Sequence, residues 1–336
     1  MTLPWTAEQL GQRLGWALSH LEVVESLEAR DVSALLRLRL HGSVPVEMLV
    51  FKRWQGTSLR PSATAERRFH CELAPAMRAN FTPRVYAAEQ FEDDAWILTE
   101  DLALEYAHPP SPPTPAQLEA AVTVLATLHA HWWMHPRLEQ ADLLQPVTDV
   151  TRMPQALPES GVQRNAALAR SALNAFRARH LDAFAPAEWS LLERWLEVWP
   201  AAFLARTVEH TTLLHGDFHL AGNTFFGVAQ PDQVKVIDWA QHKRGIGVHD
   251  LMYMLLGVDD DRRLERDTRL IRLYHAELEQ RLEHRGVQDY PLEQCLWDYR
   301  FCVLSHLYQA VFQDSPRWLR RNLNVVQAWS LEGWQP

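Results

Sequence analysis

The balance of hydrophobic periods in this chain shifts from mainly strand to mainly helix at a proline-rich segment, HPPSPPTP (108–115). Proline fixes φ and has no N–H to donate, so this stretch can be neither helix interior nor inner strand. Before it, Leu35–Leu40 reads LLRLRL, apolar and basic in alternation, the period of a half-exposed strand. After the polar turn HGS, VEMLVFKRW places Val46, Met48, Val50 and Lys52 on one strand face, with a lysine where a core side chain is expected. ATAERRFHCEL (63–73) reads as a helix with Glu66 on the side of Phe69 and Leu73, pointing inward. Glu72 lies about 120° from Glu66 and faces water. AWILTEDL (95–102) is an apolar strand ending in two acids.

After the prolines the period becomes helical. Thr114, Pro115 and Gln117 supply an N-cap, a first-turn proline and a capping-box glutamine. The helix they open carries Val122, Leu125, Leu128, His129 and Trp132 at three- and four-residue spacing. Helical periodicity resumes over about 160–205 and 245–333, with one embedded strand pair, TFF and VKVIDW, joined by the turn-rich GVAQPDQ. The expectation is an α+β chain: a small β-rich part with one helix over 1–100, then a large, mainly helical part over 101–336.

At 336 residues and 47% hydrophobic, the chain has ample material for a buried core and is not disordered. A formal charge of −9 argues against a nucleic-acid partner. Cys71, Cys295 and Cys302 form no CxxC pair and are odd in number, so they read as reduced thiols of a cytoplasmic protein. The start, MTLPWTAEQL, has no basic segment leading into an apolar core, so no signal peptide is expected. No window approaches ~18 uninterrupted apolar residues, so no membrane insertion is expected.

The chemistry is concentrated in HGDFHLAGN (215–223). As a metal site, His215, Asp217 and His219 alternate as strand ligands would, but Gly216 and the following AGN argue for an irregular loop. A metallophosphatase would need further ligands on other strands. His210, His242 and His249 are available, yet no DxH-type pair lies near the amino terminus. As a phosphate-handling site, the loop explains more. A strand-end Asp217 orients and deprotonates a hydroxyl. Asn223 and Asp238 are oxygen ligands suited to Mg²⁺. The inward Lys52 meets phosphate, and Glu66 holds it extended.

The order Lys52, Glu66, ILTEDL, LHAHW, HGDFHLAGN, VIDW, GVHDLMYML resembles the aminoglycoside phosphotransferase and choline kinase-like group over roughly residues 25–310. ERRFHCELAP (66–75) is similar to the Arg-Glu-x-x-Phe-Tyr-x-x-Leu-Ala-Pro helix of its ecdysteroid kinase-like branch. The resemblance implies a bilobal protein-kinase-like fold, with a nucleotide-binding N-lobe over 1–100. Residues 101–336 would form the helical C-lobe with catalytic loop, metal site and acceptor cleft. It implies phosphorylation of a small-molecule hydroxyl with ATP or GTP and Mg²⁺. By position, Asp217 is the catalytic base, Asn223 and Asp238 the metal ligands, and Lys52 and Glu66 the phosphate-binding pair. Backbone groups of Thr99, Glu100, Asp101 and Leu102 would meet the base of the nucleotide. Asp250, His215 and His219 would support the catalytic loop.

The sequence departs from that pattern twice. Asn223 lies six residues after Asp217 where the family has five, and Gly222 is expected to absorb the extra residue in a bulge. There is also no glycine-rich loop: between Trp16 and Gln55 the only glycine is Gly42. The nucleotide-covering turn is therefore EARDVSA (28–34), with Ser33 donating to phosphate. A misdirected Asn223 would leave a nucleotide-binding pseudokinase, and the histidines keep a metallohydrolase as a third reading.

For the acceptor, ten of the fourteen tryptophans follow the proline segment. Most are expected to fill the helical core. Trp132, Trp133, Trp239, Trp297 and Trp318 are candidates for a cleft wall. Such a wall suits a bulky apolar, sterol-like alcohol, or choline through cation–π contact. An aminoglycoside would want carboxylates, which VDDDRRLERD (258–267) supplies. The aromatic richness favours the apolar alcohol.

Overall fold

Alternation becomes a five-stranded antiparallel sheet of order β1-β2-β3-β5-β4, from β1 (Ala17–Arg30), β2 (Ser33–Ser43), β3 (Met48–Gln55), β4 (Val85–Gln90) and β5 (Asp94–Glu100). The structure is a computed structural model and describes residues 3–30, 33–55, 61–77, 80–91, 94–139, 159–206, 210–258, 261–287 and 290–334. One sheet face carries Ala34, Leu36, Leu38 and Leu40 of β2 with Leu49 and Phe51 of β3, all buried against Trp5, Leu10, Trp96 and Leu98. Each buried leucine or phenylalanine here contributes about 1.5–3 kcal/mol by leaving water. The other face, with Leu35, Arg37, Val50 and Lys52, is only half-buried. Lys52 therefore does not displace a core side chain: the core lies on the opposite face of its strand, and its own face lines a cavity.

The expected helix over 63–73 is observed, as α2 (Pro61–Arg68), a π-helical turn over Phe69–Leu73 and α3 (Ala74–Met77) in unbroken succession. Glu66, Phe69 and Leu73 are buried and Glu72 is exposed, as the helical period requires. A second helix precedes them, α1 (Ala7–Leu14), started by a Thr6–Gln9 capping box and stopped by Gly15 at φ 70. The single helix expected before residue 100 is thus two, and the capping box was its sequence signal. β1 was not anticipated as a strand because nearly all its side chains are exposed and it lacks an apolar face. It is an edge strand with three register shifts against β2.

Contact density divides the chain into two units, Met1–Pro109 with Gly222–His242, and Pro110–Ala221 with Lys243–Pro336. The first draws on two stretches of sequence because β8 (Thr224–Gly227) pairs with both β6 (Tyr106–Ala107) and β9 (Val234–Val236). The hairpin read from TFF and VKVIDW is present, and β6 adds a third strand too short to show a period.

The second unit is mainly helical. It contains α4 (Pro115–Trp132), α5 (Glu159–His180), α6 (Pro186–Arg206), α8 (Val248–Leu256), α9 (Arg263–Glu283), α10 (Leu292–Phe312) and α11 (Pro316–Ala328). Thr114 caps α4 through the expected box with Gln117. Two short strands, β7 (Thr211–Leu214) and β10 (Lys243–Ile246), pair antiparallel. The catalytic-loop candidate follows β7 directly, and the turn α7 (Leu220–Asn223) leads the chain back to the first unit. Among the described residues no helix is long and apolar enough to cross a membrane.

Candidate active site

The first unit holds a cavity of about 150 Å³ against the half-buried sheet face. Its walls include Leu27, Leu35, Arg37, Val50, Lys52, Ile97 and Thr99, with Phe225, Ile237 and Asp238 from the second stretch of sequence. Two cross-strand rows set this surface, Arg37–Val50–Thr99 and Leu35–Lys52–Ile97. Glu100, Asp101 and Leu102 line it as well, so all four residues expected to meet the base are at the cavity. Asp101 accepts from Ala103 N–H at 3.0 Å and from Arg37 Nε at 2.6 Å. Arg37 was not anticipated. The signal was its place two residues after Leu35, on the face that also carries Lys52. Ser33 opens β2 opposite Arg30 and Trp54 and is not part of the cavity wall. Of the turn EARDVSA, Asp31 and Val32 lie outside the described residues.

Lys52 Nζ donates to Glu66 Oε2 at 2.6 Å and to Asp238 Oδ1 at 3.2 Å. Burial opposes the Lys52 charge, but Glu66 and Asp238 outweigh it and hold its pKa above the ordinary value. Burial raises Glu66, and Lys52 offsets part of that rise. The helix register fixes this contact. Phe69, three residues after Glu66 and on the same face, stacks on Trp239 with ring centroids 3.7 Å apart. Trp239 follows Asp238, so one aromatic stack ties the Glu66 helix to the Asp238 backbone.

Asp238 has φ 61, left-handed backbone that costs a non-glycine residue about 1 kcal/mol. Strain of this kind persists where the surroundings over-determine it, and it concentrates at functional sites. Here it leaves the carboxylate 42% exposed at the cavity instead of turned into the core. Asn223 is buried, and its backbone C=O accepts from Ile237 N–H at 2.9 Å, so its backbone lies beside the residue that precedes Asp238. Both offer oxygen, the donor Mg²⁺ prefers, so the pair fits that ion. The extra residue before Asn223 is taken up by the helical turn α7, not by a glycine bulge: Gly222 is not among the positive-φ glycines, whereas Gly216 is, at φ 84.

The second unit holds the other half of the candidate machinery. Asp250, fully buried at the start of α8, accepts from His215 N–H at 2.7 Å, Gly216 N–H at 3.0 Å and His129 Nε2 at 3.3 Å. Burial alone would raise its pKa, but hydrogen bonds from His129 and His249 hold it far below the carboxylate range. With His129 Nε2–H toward Asp250, its Nδ1 accepts from Tyr274 Oη at 2.8 Å. His215 is fully buried, and its Nδ1 accepts from Asp217 N–H at 3.2 Å. The loop backbone is thus pinned at three successive N–H groups. The Asp217 carboxylate is 31% exposed, with His219 Nε2 3.9 Å away. Tyr253, not anticipated from sequence, hydrogen-bonds to Asp217.

The acceptor candidates fare unevenly. Trp132, Trp133 and Trp239 are buried core, and Trp239 belongs to the first unit. Trp297 and Trp318 remain half-buried. Within VDDDRRLERD the described acids lie among arginines. Asp259 and Asp260 lie outside the described residues, Asp267 is buried against Arg266, and Asp261 and Glu265 share a groove with Arg262, Arg266 and Arg269. Among the described residues no group of three histidine, cysteine or carboxylate side chains could hold a metal, which removes the support for a histidine-based hydrolase centre.

An antiparallel sheet with a Lys–Glu pair at its cavity, and a helical unit whose loop carries a half-exposed aspartate above a buried one, fit a protein-kinase-like fold. The chain belongs to the Ecdysteroid kinase-like family, whose sequence profile matches residues 65–287. No curated protein sequence matches it significantly. Among solved structures it is similar to the ADP-bound aminoglycoside phosphotransferase APH(2'')-Ib, with 15% identity and a TM-score of 0.51 over 98% of this chain and 96% of that one. It is also similar to APH(2'')-IIa in its gentamicin complex, with 13% identity and a TM-score of 0.50 over 97% of each chain. Family and fold together indicate a small-molecule phosphotransferase of the kinase-like type.

Proposed function

We propose that the protein transfers the γ-phosphate of ATP or GTP to a hydroxyl of a small molecule. The observation that carries this reading is the Lys52–Glu66–Asp238 cluster on the wall of one cavity, with the Asn223 backbone beside the residue that precedes Asp238. The apolar walls, Leu35, Val50 and Ile97, take the base. Glu100, Asp101 and Leu102 offer backbone groups to its edge. Lys52, kept extended by Glu66, meets the phosphates. Asn223 and Asp238 would hold Mg²⁺, which would supply positive charge to the nucleotide phosphates.

Asp217 receives the proton of the acceptor hydroxyl as its oxygen bonds to the γ-phosphorus. The bond from phosphorus to the β–γ bridging oxygen breaks, and the nucleoside diphosphate leaves. Asp250, working through the N–H groups of His215 and Gly216, keeps the loop in place. The half-buried Trp297 and Trp318, and the arginines set around Asp261, Glu265 and Asp267, favour a neutral, bulky alcohol over a polycation. The same site with a failed transfer step would be a pseudokinase, but retention of Lys52, Glu66, Asp217 and Asp238 supports turnover.

Thermal melts with ATP or GTP, each with Mg²⁺ or EDTA, test the reading. A ligand at ~100 times its dissociation constant adds ~2.7 kcal/mol, an upward shift of a few degrees. A Mg²⁺-dependent shift is expected. The absence of any shift with either nucleotide overturns the proposal.

A further inference from the structure

Helix α8 holds the loop at two points from one face. Asp250 and Tyr253 are three residues apart, so their side chains emerge side by side. Asp250 takes the loop backbone at His215 and Gly216, while the Tyr253 hydroxyl reaches the side chain of the next residue, Asp217. The Tyr253 ring is itself confined. It meets His306 of α10 edge-on at 5.1 Å, lies 6.5 Å from Trp318 of α11 and stacks at 6.4 Å with His249. Its own helix together with α10 and α11 therefore confines the ring that carries the hydroxyl.

We infer that Tyr253 is a positioning residue for phosphoryl transfer: it orients the Asp217 carboxylate toward the acceptor hydroxyl. The inference rests on the phosphotransferase reading above. A carboxylate on a loop rotates about χ2 through a broad range. A base is effective only when its oxygen already lies on the line of the proton it will take, and a base is commonly oriented by a third group. The backbone ties made by Asp250 cannot supply that last rotation. A fixed donor can, because it selects the rotamer in which one oxygen faces it. Burial, followed by the Asp217 charge, raises the Tyr253 pKa above its ordinary range, so the phenol stays a donor throughout the working pH.

Tyr253→Phe keeps the ring and its packing and removes only the hydroxyl. The assay needs no identified acceptor, because water is a hydroxyl: phosphate release from Mg²⁺–ATP and Mg²⁺–GTP is measured for wild type, Tyr253→Phe, Asp217→Ala and the double variant. Tyr253→Phe is expected to lower kcat about tenfold with an unchanged nucleotide KM and melting temperature. In the Asp217→Ala background the same change is expected to do nothing, since Tyr253 acts only through Asp217. An unchanged rate overturns the inference and leaves the phosphotransferase reading standing. So does a raised rate, which would make Tyr253 a block against water. So does an equal loss in both backgrounds, which would mark a structural role. A wild type that releases no phosphate from either nucleotide defeats both readings together.

Discussion

The Lys52 ammonium lies 2.6 Å from the Glu66 carboxylate, and Glu66 is 4% exposed. Removing the lysine leaves a buried acid without its cation. Lys52→Met should therefore cost about 2–3 kcal/mol at neutral pH. The Glu66 pKa is raised by burial even with Lys52 present, and higher still without it. For a carboxyl raised in the folded state, stability is fully present below the unfolded value and is lost as pH rises through the folded one. Lys52→Met should thus recover stability on acidification from pH 7 to 5 relative to wild type. Parallel melting curves for the two proteins over that range would contradict the account.

Gly247 tests how rigid the support of the loop is. Its φ of −54 is ordinary helix, so conformational freedom is not the reason for a glycine there. A Cβ would stand 2.6 Å from Tyr274 Oη and 3.0 Å from His129 Nδ1, the pair that backs Asp250. Gly247→Ala should cost about 1–3 kcal/mol and slow phosphate release as Asp250 is displaced. Denaturant titration checks the first and a single-turnover assay the second. An alanine variant with wild-type stability would show that the network yields.

His306 sets an acid limb. It is fully buried on α10, and among the described residues neither ring nitrogen has a hydrogen-bond partner. Burial, then the charges of His249 and Lys243, hold its pKa well below the usual value. The unfolded chain takes up this proton first, so the contribution of a neutral His306 is complete above about pH 6.5 and falls away below it. His306→Leu should flatten the decline in melting temperature between pH 7 and 5. An unaltered slope would mean that another group sets the limb.

Much of this arrangement is legible in sequence because two periods fix it. Period two put Val50 and Lys52 on one face, and period 3.6 put Glu66 beside Phe69. The structure keeps both and reverses only which strand face is the core. What the sequence hides is set by pairing between distant segments. Nothing local marks β1 as a strand, because most of its described side chains face water and its bonds to β2 make it one. Arg37 reads as the solvated half of LLRLRL until β5 is placed beside β3 and brings Asp101 to it. Tyr253 reads as one more residue of an apolar helix. Its three-residue spacing from Asp250 is visible in GVHDLMYML, but the partner that gives the spacing meaning lies thirty-six positions earlier, in the loop. The aromatic count misled for a related reason: composition cannot tell Trp132 and Trp133, which are core, from Trp297 and Trp318, which reach the surface.

Asp238 separates stability from function. Glycine adopts the left-handed backbone at φ 61 without the cost an aspartate bears. Asp238→Gly loses a half-exposed contact with Lys52 and gains that relief. Its melting temperature without ligand should fall little, if at all. Its melting shift with nucleotide should become the same in Mg²⁺ and in EDTA. A marked loss of stability, or a Mg²⁺-dependent shift that persists, would remove Asp238 from the metal site.

Asp217 tests the central claim most directly. Phosphate transferred from γ-labelled ATP and GTP, to water and to a panel of neutral alcohols, choline and aminoglycosides, is compared for wild type and Asp217→Asn. The variant keeps the size of the side chain and one acceptor oxygen, and it cannot take a proton. A loss of 10²-fold or more in transfer, with the nucleotide-induced melting shift intact, is the predicted result. Transfer at the wild-type rate by Asp217→Asn would contradict the assignment of this loop as the site of chemistry.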